Sequence, residues 1–408
     1  MSFVGQVKVN PTASPLAHLW PLRRDVAYLN HGSFGACPSA VLEYQRQLID
    51  ELERQPMDFL WRELPRRLAG AREALGQFIG ASPDDLAVVV NATAGVNAVL
   101  RSLDFQPGDE LLTTDHAYGA CRKTLEYVAS RCGARVTVAL VPFPVRGADE
   151  VVGAILGAVT SRTRIAMIDH VTSPTALVLP IQRIVNELQQ RGVDVLVDGA
   201  HALGMVPLEL DRLGAAYYTA NAHKWLCAPK GSAFLHVRRD RQHLIHPTSI
   251  SHGYDPARGD ARFREEFDWT GSTDPTAGLC IPESIRYMQA LVPGGWHEVM
   301  ARNRSLVLEA RKTVCGAIGV QPPCPESMIG AIASILLPKP AEGSPAARLD
   351  HEQIMHWFRD RGIETWLYPW NCAGGKLIRL SAQLYNDESQ FQRLADALLD
   401  ALGIHPRR

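Results

Sequence analysis

The sequence predicts an α/β protein: a mainly parallel sheet sandwiched by helices, followed by a smaller α+β unit. Three observations carry that expectation. Between residues 86 and 237, short β-rich runs without polar alternation are interleaved with helical stretches, the pattern of strands covered on both faces. After residue 278 the rhythm changes to fewer strands and longer helices. The chain has 408 residues, 46% of them hydrophobic and 21% charged, which is enough to bury a large core without covalent staples.

Residues 1–24 are Pro-rich and aperiodic and are expected to form an arm on the larger body. Residues 25–278 form the expected large unit and 279–408 the small one. Apolar residues recur at helical spacing over 39–52 and 64–78. Strands are predicted at 86–90, 110–114, 135–141, 164–168 and 193–197, with helices at 95–103, 118–131, 149–159 and 181–190. Runs 215–219 and 233–237 should complete the sheet. A Gly-, Pro- and charge-rich stretch, 247–275, reads as long loops. Helices follow at 296–316, 349–361 and 388–402, with strands at 332–337 and 377–380.

Composition removes several classes of function. A formal net charge of −1 argues against a nucleic-acid binder. The eight cysteines form no CxxC pair, unlike a disulfide scaffold or a zinc ribbon. The N-terminus lacks a basic region with an apolar core, and no apolar run approaches about 18 residues, so neither export nor a membrane span is expected. The expected compartment is the cytoplasm. His243, His246 and His252 make no HExxH spacing, so no metal is expected, and neither common nucleotide-binding glycine motif is present.

Ligands of open α/β sheets sit beyond the carboxyl ends of the strands, so the residues just after each strand carry the chemistry. Strand 86–90 leads into Asn91-Ala92-Thr93-Ala94-Gly95 and then a helix. A hydroxyl and a glycine at a helix start suit a phosphate, although an ordinary N-cap looks the same. Strand 193–197 ends in Asp198, then Gly199-Ala200-His201. A buried carboxylate there is a metal ligand, a structural cap or the counter-ion of a protonated ring nitrogen. Lys224 follows the apolar run 217–222 between His223 and Trp225. Burial would favour its neutral amine, as a nucleophile requires; a snorkelling lysine is the plain alternative. Together a phosphate turn, a strand-end Asp and a later Lys make the set that pyridoxal 5'-phosphate needs.

These residues lie in YLNHGSFGACP (28–38), VVNATAGVN (89–97), DHAYGACR (115–122), VDGAHALG (197–204), YYTANAHKWLCAPKG (217–231), WTGSTDPTA (269–277) and IRLSAQLYN (378–386). With these segments in this order, the sequence resembles the class V aminotransferase family of fold-type I pyridoxal-phosphate enzymes, within it the isopenicillin N epimerase-like branch. The resemblance spans nearly the whole chain from about residue 25. It implies Lys224 as the Schiff-base lysine and Asp198 as the pyridinium partner. Thr93, Ala94 and Gly95, with Asn221 and His223, are implied at the phosphate, and His201 near the ring oxygen. Either His116 or Tyr118 would stack on the ring, the branch favouring Tyr118. Gly271, Ser272 and Thr273 would reach the phosphate of a second copy across a homodimer interface. Arg379 would pair with the substrate α-carboxylate, with Asn30 and His31 beside it; a structural ion pair is the bland alternative for Arg379.

The implied reaction forms an external aldimine with an L-amino acid and labilises its Cα. Cleavage of an S-substituted cysteine or epimerisation follows, with transamination, cysteine desulfurase activity and a non-catalytic cofactor-binding homologue as alternatives. Retention of both Lys224 and Arg379 argues against the last. An epimerase needs a second proton donor, for which His31, Tyr118 and Cys372 are conceivable; a β-lyase needs only Lys224. Cys372 lies closer to Arg379 than the desulfurase pattern places its nucleophile, and Cys227 reads as packed wall. Segments 247–276 and 363–376, with Tyr254, Trp269, Trp366, Tyr368 and Trp370, are expected to line a distal pocket for a bulky substituent.

Overall fold

A computed structural model describes residues 14–370 and 375–404. The chain enters through a two-residue strand, β1 (Ala27–Tyr28), and two helices, Ser39–Arg54 and Leu64–Ile79, joined through a π-helical turn, Asp58–Glu63. Seven strands follow: β2 (Leu86–Val89), β3 (Glu110–Thr114), β4 (Arg135–Ala139), β5 (Thr163–Asp169), β6 (Asp194–Asp198), β7 (Tyr217–Asn221) and β8 (Ala233–Val237). They form one sheet in the order β2-β8-β7-β6-β5-β3-β4. Strands β3, β7 and β8 are buried along their whole length, which is why they read as continuous apolar runs.

Helices Ala92–Ser102, Gly119–Cys132, Ala148–Gly157 and Ile181–Gln189 interleave with the strands. The last of these buries Ile181, Ile184, Val185 and Leu188, a single stripe at helical spacing. All strand neighbours in the sheet are parallel except β8, which runs antiparallel to β7 and β2. The connection from β7 to β8 is short and carries no helix, so it can only turn the chain back. Lys224 lies on that turn. The parallel strands therefore end on one edge, where Asp169, Asp198, Asn221 and the start of helix Ala92–Ser102 come together.

A second sheet is antiparallel, in the order β11-β12-β9, from β9 (Ile332–Leu336), β11 (Trp366–Trp370) and β12 (Gly375–Ser381). Helix Gly295–Ile318 packs on β9 and on helix Glu388–Leu402. Strand β10 (Ile363–Glu364) pairs in parallel with β1, which ties the residues after Tyr28 to this sheet.

Three elements differ from expectation. The stretch 247–275 contains helix Arg262–Asp268, which buries Phe263 and Phe267 together with an Arg262–Glu266 pair one turn apart; the buried charges disguised its period. Helix Ile281–Ala290 and strand β11 also went unpredicted, the latter because Pro369 within it argues against a strand except at an edge, where β11 lies. Leu196 is fully buried in the middle of β6. Leu196→Ala should cost about 2–5 kcal/mol in denaturant unfolding; a loss under about 1 kcal/mol would show that the sheet core collapses around the cavity.

Candidate active site

Helix Ala92–Ser102 opens on the cleft with its first amides partly spoken for. Asn91 caps it by accepting from Ala94 N at 2.8 Å, and Asn221 Oδ1 accepts from Ala92 N at 2.8 Å. Thr93 remains at the helix start, lining the cleft. Gly95 fixes the position of that start: a Cβ there would stand 2.3 Å from Thr219 Oγ1 on β7. An eleven-residue helix with amides at its open end attracts an anion.

Lys224 is half-buried at the cleft, with Nζ 3.2 Å from His201 Nε2. Trp225 Nε1 donates to His201 Nδ1 at 3.4 Å, which makes Nε2 the proton-bearing nitrogen facing the lysine. The amine accepts a hydrogen bond from Nε2 only in its neutral form, which predominates above its pKa. Burial, followed by the charge of Arg379, lowers the Lys224 pKa to about 8. Burial and the same lysine hold His201 well below its usual value, so it stays uncharged. The backbone of Lys224 is propped from behind: His31 Nε2 donates to its carbonyl at 3.0 Å. Gly35 (φ 71°) lies against it so closely that a Cβ would come 1.9 Å from His223 O.

Asp198 ends β6, almost fully buried. Its Oδ1 accepts from Ala200 N at 3.0 Å and its Oδ2 from the Cys121 thiol at 3.2 Å. Both oxygens are thus oriented by neutral donors. Asp169 ends β5 beside it.

Arg379, on β12, is 1% exposed and has no carboxylate partner among the described residues. Its Nη1 donates to Ser173 O (3.0 Å), Ser173 Oγ (3.1 Å) and Tyr368 Oη (2.9 Å), and its Nη2 to Asn30 Oδ1 (3.2 Å) and Ser33 Oγ (2.8 Å). Nε is buried with no partner. The structural ion pair is thus not formed among the described residues, and the cation is surrounded by neutral oxygens.

Of the expected residues, Thr93, Tyr118, Asp198, His201, Asn221, His223 and Lys224 line one cleft. Tyr118 forms a half-exposed wall, and burial raises its pKa. His116 does not line the cleft. Its Nε2 contacts Val141 O at 3.0 Å, its Nδ1 meets Thr175 Oγ1 at 2.7 Å, and its ring meets Trp370 edge-on. His31 is also a correction: it reaches no substrate space, because Nδ1 meets the Tyr385 hydroxyl at 2.9 Å while Nε2 supports Lys224, and burial lowers its pKa to about 3. Asn30 touches Arg379. Ala94, Gly271 and Thr273 line an adjoining pocket, and Ser272 belongs to the same loop.

Of the aromatic residues expected in the distal pocket, Tyr368 touches Arg379, Trp269 lines the adjoining pocket, and Tyr254 sits near His246. Cys227 is buried with its thiol pKa raised well above the usual value, a packed wall. Cys372 lies outside the described residues. Four contributors were missed: Ser33, Cys121, Asp169 and Ser173. Asp169 satisfies the strand-end rule that singled out Asp198; the other three carry no sequence signal.

Known proteins resemble this arrangement. The family model described as aminotransferase class-V matches residues 39–325. An isopenicillin N epimerase from Streptomyces clavuligerus is 36% identical over 391 residues, covering 92% of this chain and 95% of the relative. A probable chloroplastic L-cysteine desulfhydrase from Arabidopsis thaliana is 32% identical over 400 residues, covering 92% of this chain and 82% of the relative. Among solved structures, a cystine C–S lyase in complex with its product cysteine persulfide superposes with a TM-score of 0.77 at 22% identity, covering 93% of this chain and 98% of that one; it shares the fold.

The lowered proton affinity of Lys224 is open to direct measurement. Acylation of the cofactor-free protein, followed at Lys224 by peptide mass mapping, should reach half its limiting rate near pH 8. A midpoint near the ordinary lysine value of about 10.4 would show a hydrated amine.

Proposed function

We infer that this chain, which belongs to the class V aminotransferase family and is a pyridoxal-phosphate-dependent enzyme, takes the Cα proton from an L-amino acid held by Arg379 and expels a sulfur group from its β-carbon. One observation carries the reading: a buried guanidinium without an anionic partner lowers the proton affinity of the Lys224 amine, and Ser33 and Ser173, which bind that guanidinium, line the same cleft as the lysine.

The donor set fits the cofactor. Thr93 and the helix start, with Asn221 and His223, suit its phosphate; Asp198 suits its ring nitrogen; Lys224 suits its aldehyde. When bound, pyridoxal phosphate supplies an electron-withdrawing ring that stabilises negative charge at Cα. The chain's own residues do the rest. Arg379 binds the carboxylate, and its fixed fork orients the Cα–H bond. Neutral Lys224 is the base for the Cα proton, and His201 steadies the amine through Nε2. Tyr118, on the cleft wall, would cover the ring.

C–S cleavage is the favoured outcome because it needs a base on one face only. His31 has both nitrogens engaged, so it is no second-face acid. Epimerisation is the second reading, favoured by Tyr118, whose phenol stays protonated at the cleft wall, and by the 36% identity to an epimerase. We place the enzyme in the cytoplasm: the seven described cysteines are free thiols, and among described residues no helix is long and apolar enough to cross a membrane. We assign it a homodimer, with Gly271, Ser272 and Thr273 serving the phosphate of the second copy; the exposed Phe34, Met57 and Trp61 suit such an interface.

The purified holoenzyme should release equimolar pyruvate and ammonia from an S-substituted L-cysteine, and Lys224→Ala should reduce that rate at least about a thousandfold. Cα–deuterium exchange in heavy water without pyruvate would establish epimerisation instead. Full activity in Lys224→Ala would refute both. Gly35→Ala should lower cofactor retention, measured by the visible band after gel filtration, because its Cβ overlaps the backbone that aims Lys224; retention equal to wild type would disprove the support.

A further inference from the structure

Asp169 has no part in the proposed reaction, yet it occupies the cleft floor beside Asp198. The two residues are register partners at the ends of β5 and β6. The backbones of parallel neighbours stand about 4.8 Å apart, and both residues are 2% exposed and line the same cleft. Their surroundings are unequal. Asp198 has a donor on each oxygen, Ala200 N and Cys121 Sγ. Asp169 has the backbone N–H of Tyr118, while its Oδ1 is buried without a partner. Two carboxylates paired in register on neighbouring strands in so dry a cleft do not both ionise cheaply. The one without donors is the one that keeps its proton.

We propose that Asp169 is a positioning residue that carries a proton and offers it to Asp198, so that the pair holds a single negative charge and fixes Asp198 as an anion facing the cofactor's ring nitrogen. The proposal rests on the assignment of that nitrogen to Asp198. The groups facing Asp169 agree with it. Burial and the charge of Asp198 push its carboxyl well above the usual range, and Lys224, from the β7–β8 turn, opposes this only in part. The next residue, His170, bonds the Tyr218 hydroxyl through Nδ1 and is kept neutral by burial, so it supplies no charge. A protonated acid fills the gap that the orphaned oxygen leaves.

The test compares cofactor affinity, by titrating the visible absorption of cofactor-stripped protein with pyridoxal phosphate, in wild type, Asp169→Asn, Asp169→Ala and Asp198→Asn. Asparagine keeps a donor and no charge, so Asp169→Asn should bind within about threefold of wild type. Asp169→Ala should lose about ten- to a hundredfold, the worth of a hydrogen bond to a buried charge. Asp198→Asn should lose more than either. Asp169→Asn as weak as Asp198→Asn would overturn the proposal, since Asp169 would then need to ionise. Asp169→Ala equal to wild type would overturn it by making Asp169 a bystander. Asp198→Asn equal to wild type would refute the assignment of Asp198 itself, and the proposal with it. Should Asp169→Ala fail to fold, the infrared difference between wild-type holoenzyme and Asp169→Asn decides: a buried carboxylic-acid C=O stretch present only in wild type supports the proposal, and its absence refutes it.

Discussion

A permanently charged guanidinium buried without a counter-ion is the constraint around which this molecule is arranged. Burying Arg379 is costly unless its donors find oxygens, and both Nη groups do. Those oxygens come from distant parts of the chain: Asn30 and Ser33 near its beginning, Ser173 after β5, and Tyr368 on β11. The β1–β10 pair holds the first of these segments in place, and the antiparallel β11–β12 pair sets Trp366 of β11 opposite Arg379. None of the accepting oxygens is charged, so the site retains a full positive charge and a strong preference for an anion.

The same charge acts on the chemistry next to it. After burial, Arg379 is the largest cause of the lowered Lys224 pKa, while Asp198 pulls the other way. The lysine sits between a cation and a carboxylate, and their balance brings it to about 8. A substrate carboxylate that neutralises Arg379 would remove part of the pressure on the amine, so substrate binding itself would raise the basicity of Lys224. Under the proposed function, carboxylate recognition and proton abstraction would be coupled through this single pair of charges.

The large sheet was legible because its strands are apolar throughout and its helices carry clean stripes; Glu110–Thr114 and Ala233–Val237 match their predicted limits. Arg262–Asp268 was hidden because it buries an ion pair, and β11 because it contains a proline. At the site, the strand-end rule found Asp198 and the residues around Lys224, since backbone topology alone puts them on one edge. Asp169 obeys that rule equally and was legible in the same way. Ser33, Ser173 and Cys121 act through side-chain hydrogen bonds set by tertiary packing, and no local pattern announces those. His116 and His31 show the opposite failure. Motif position put both near the chemistry, but Val141, Thr175, Lys224 and Tyr385 use up their ring nitrogens, a fact visible only in three dimensions.

Arg379 is held to select substrates by their carboxylate, and the rest of the chemistry follows from that choice. The most direct test is to titrate the visible band of the holoenzyme with an S-substituted L-cysteine and with the corresponding L-cysteinamide. The two differ only in the group that Arg379 is held to bind. The acid should shift the band at a concentration at least about a hundredfold lower than the amide, the difference made by removing one partner of a buried charge-assisted pair. Equal titration by acid and amide would mean that the buried guanidinium serves the fold alone, and would contradict selection by the carboxylate.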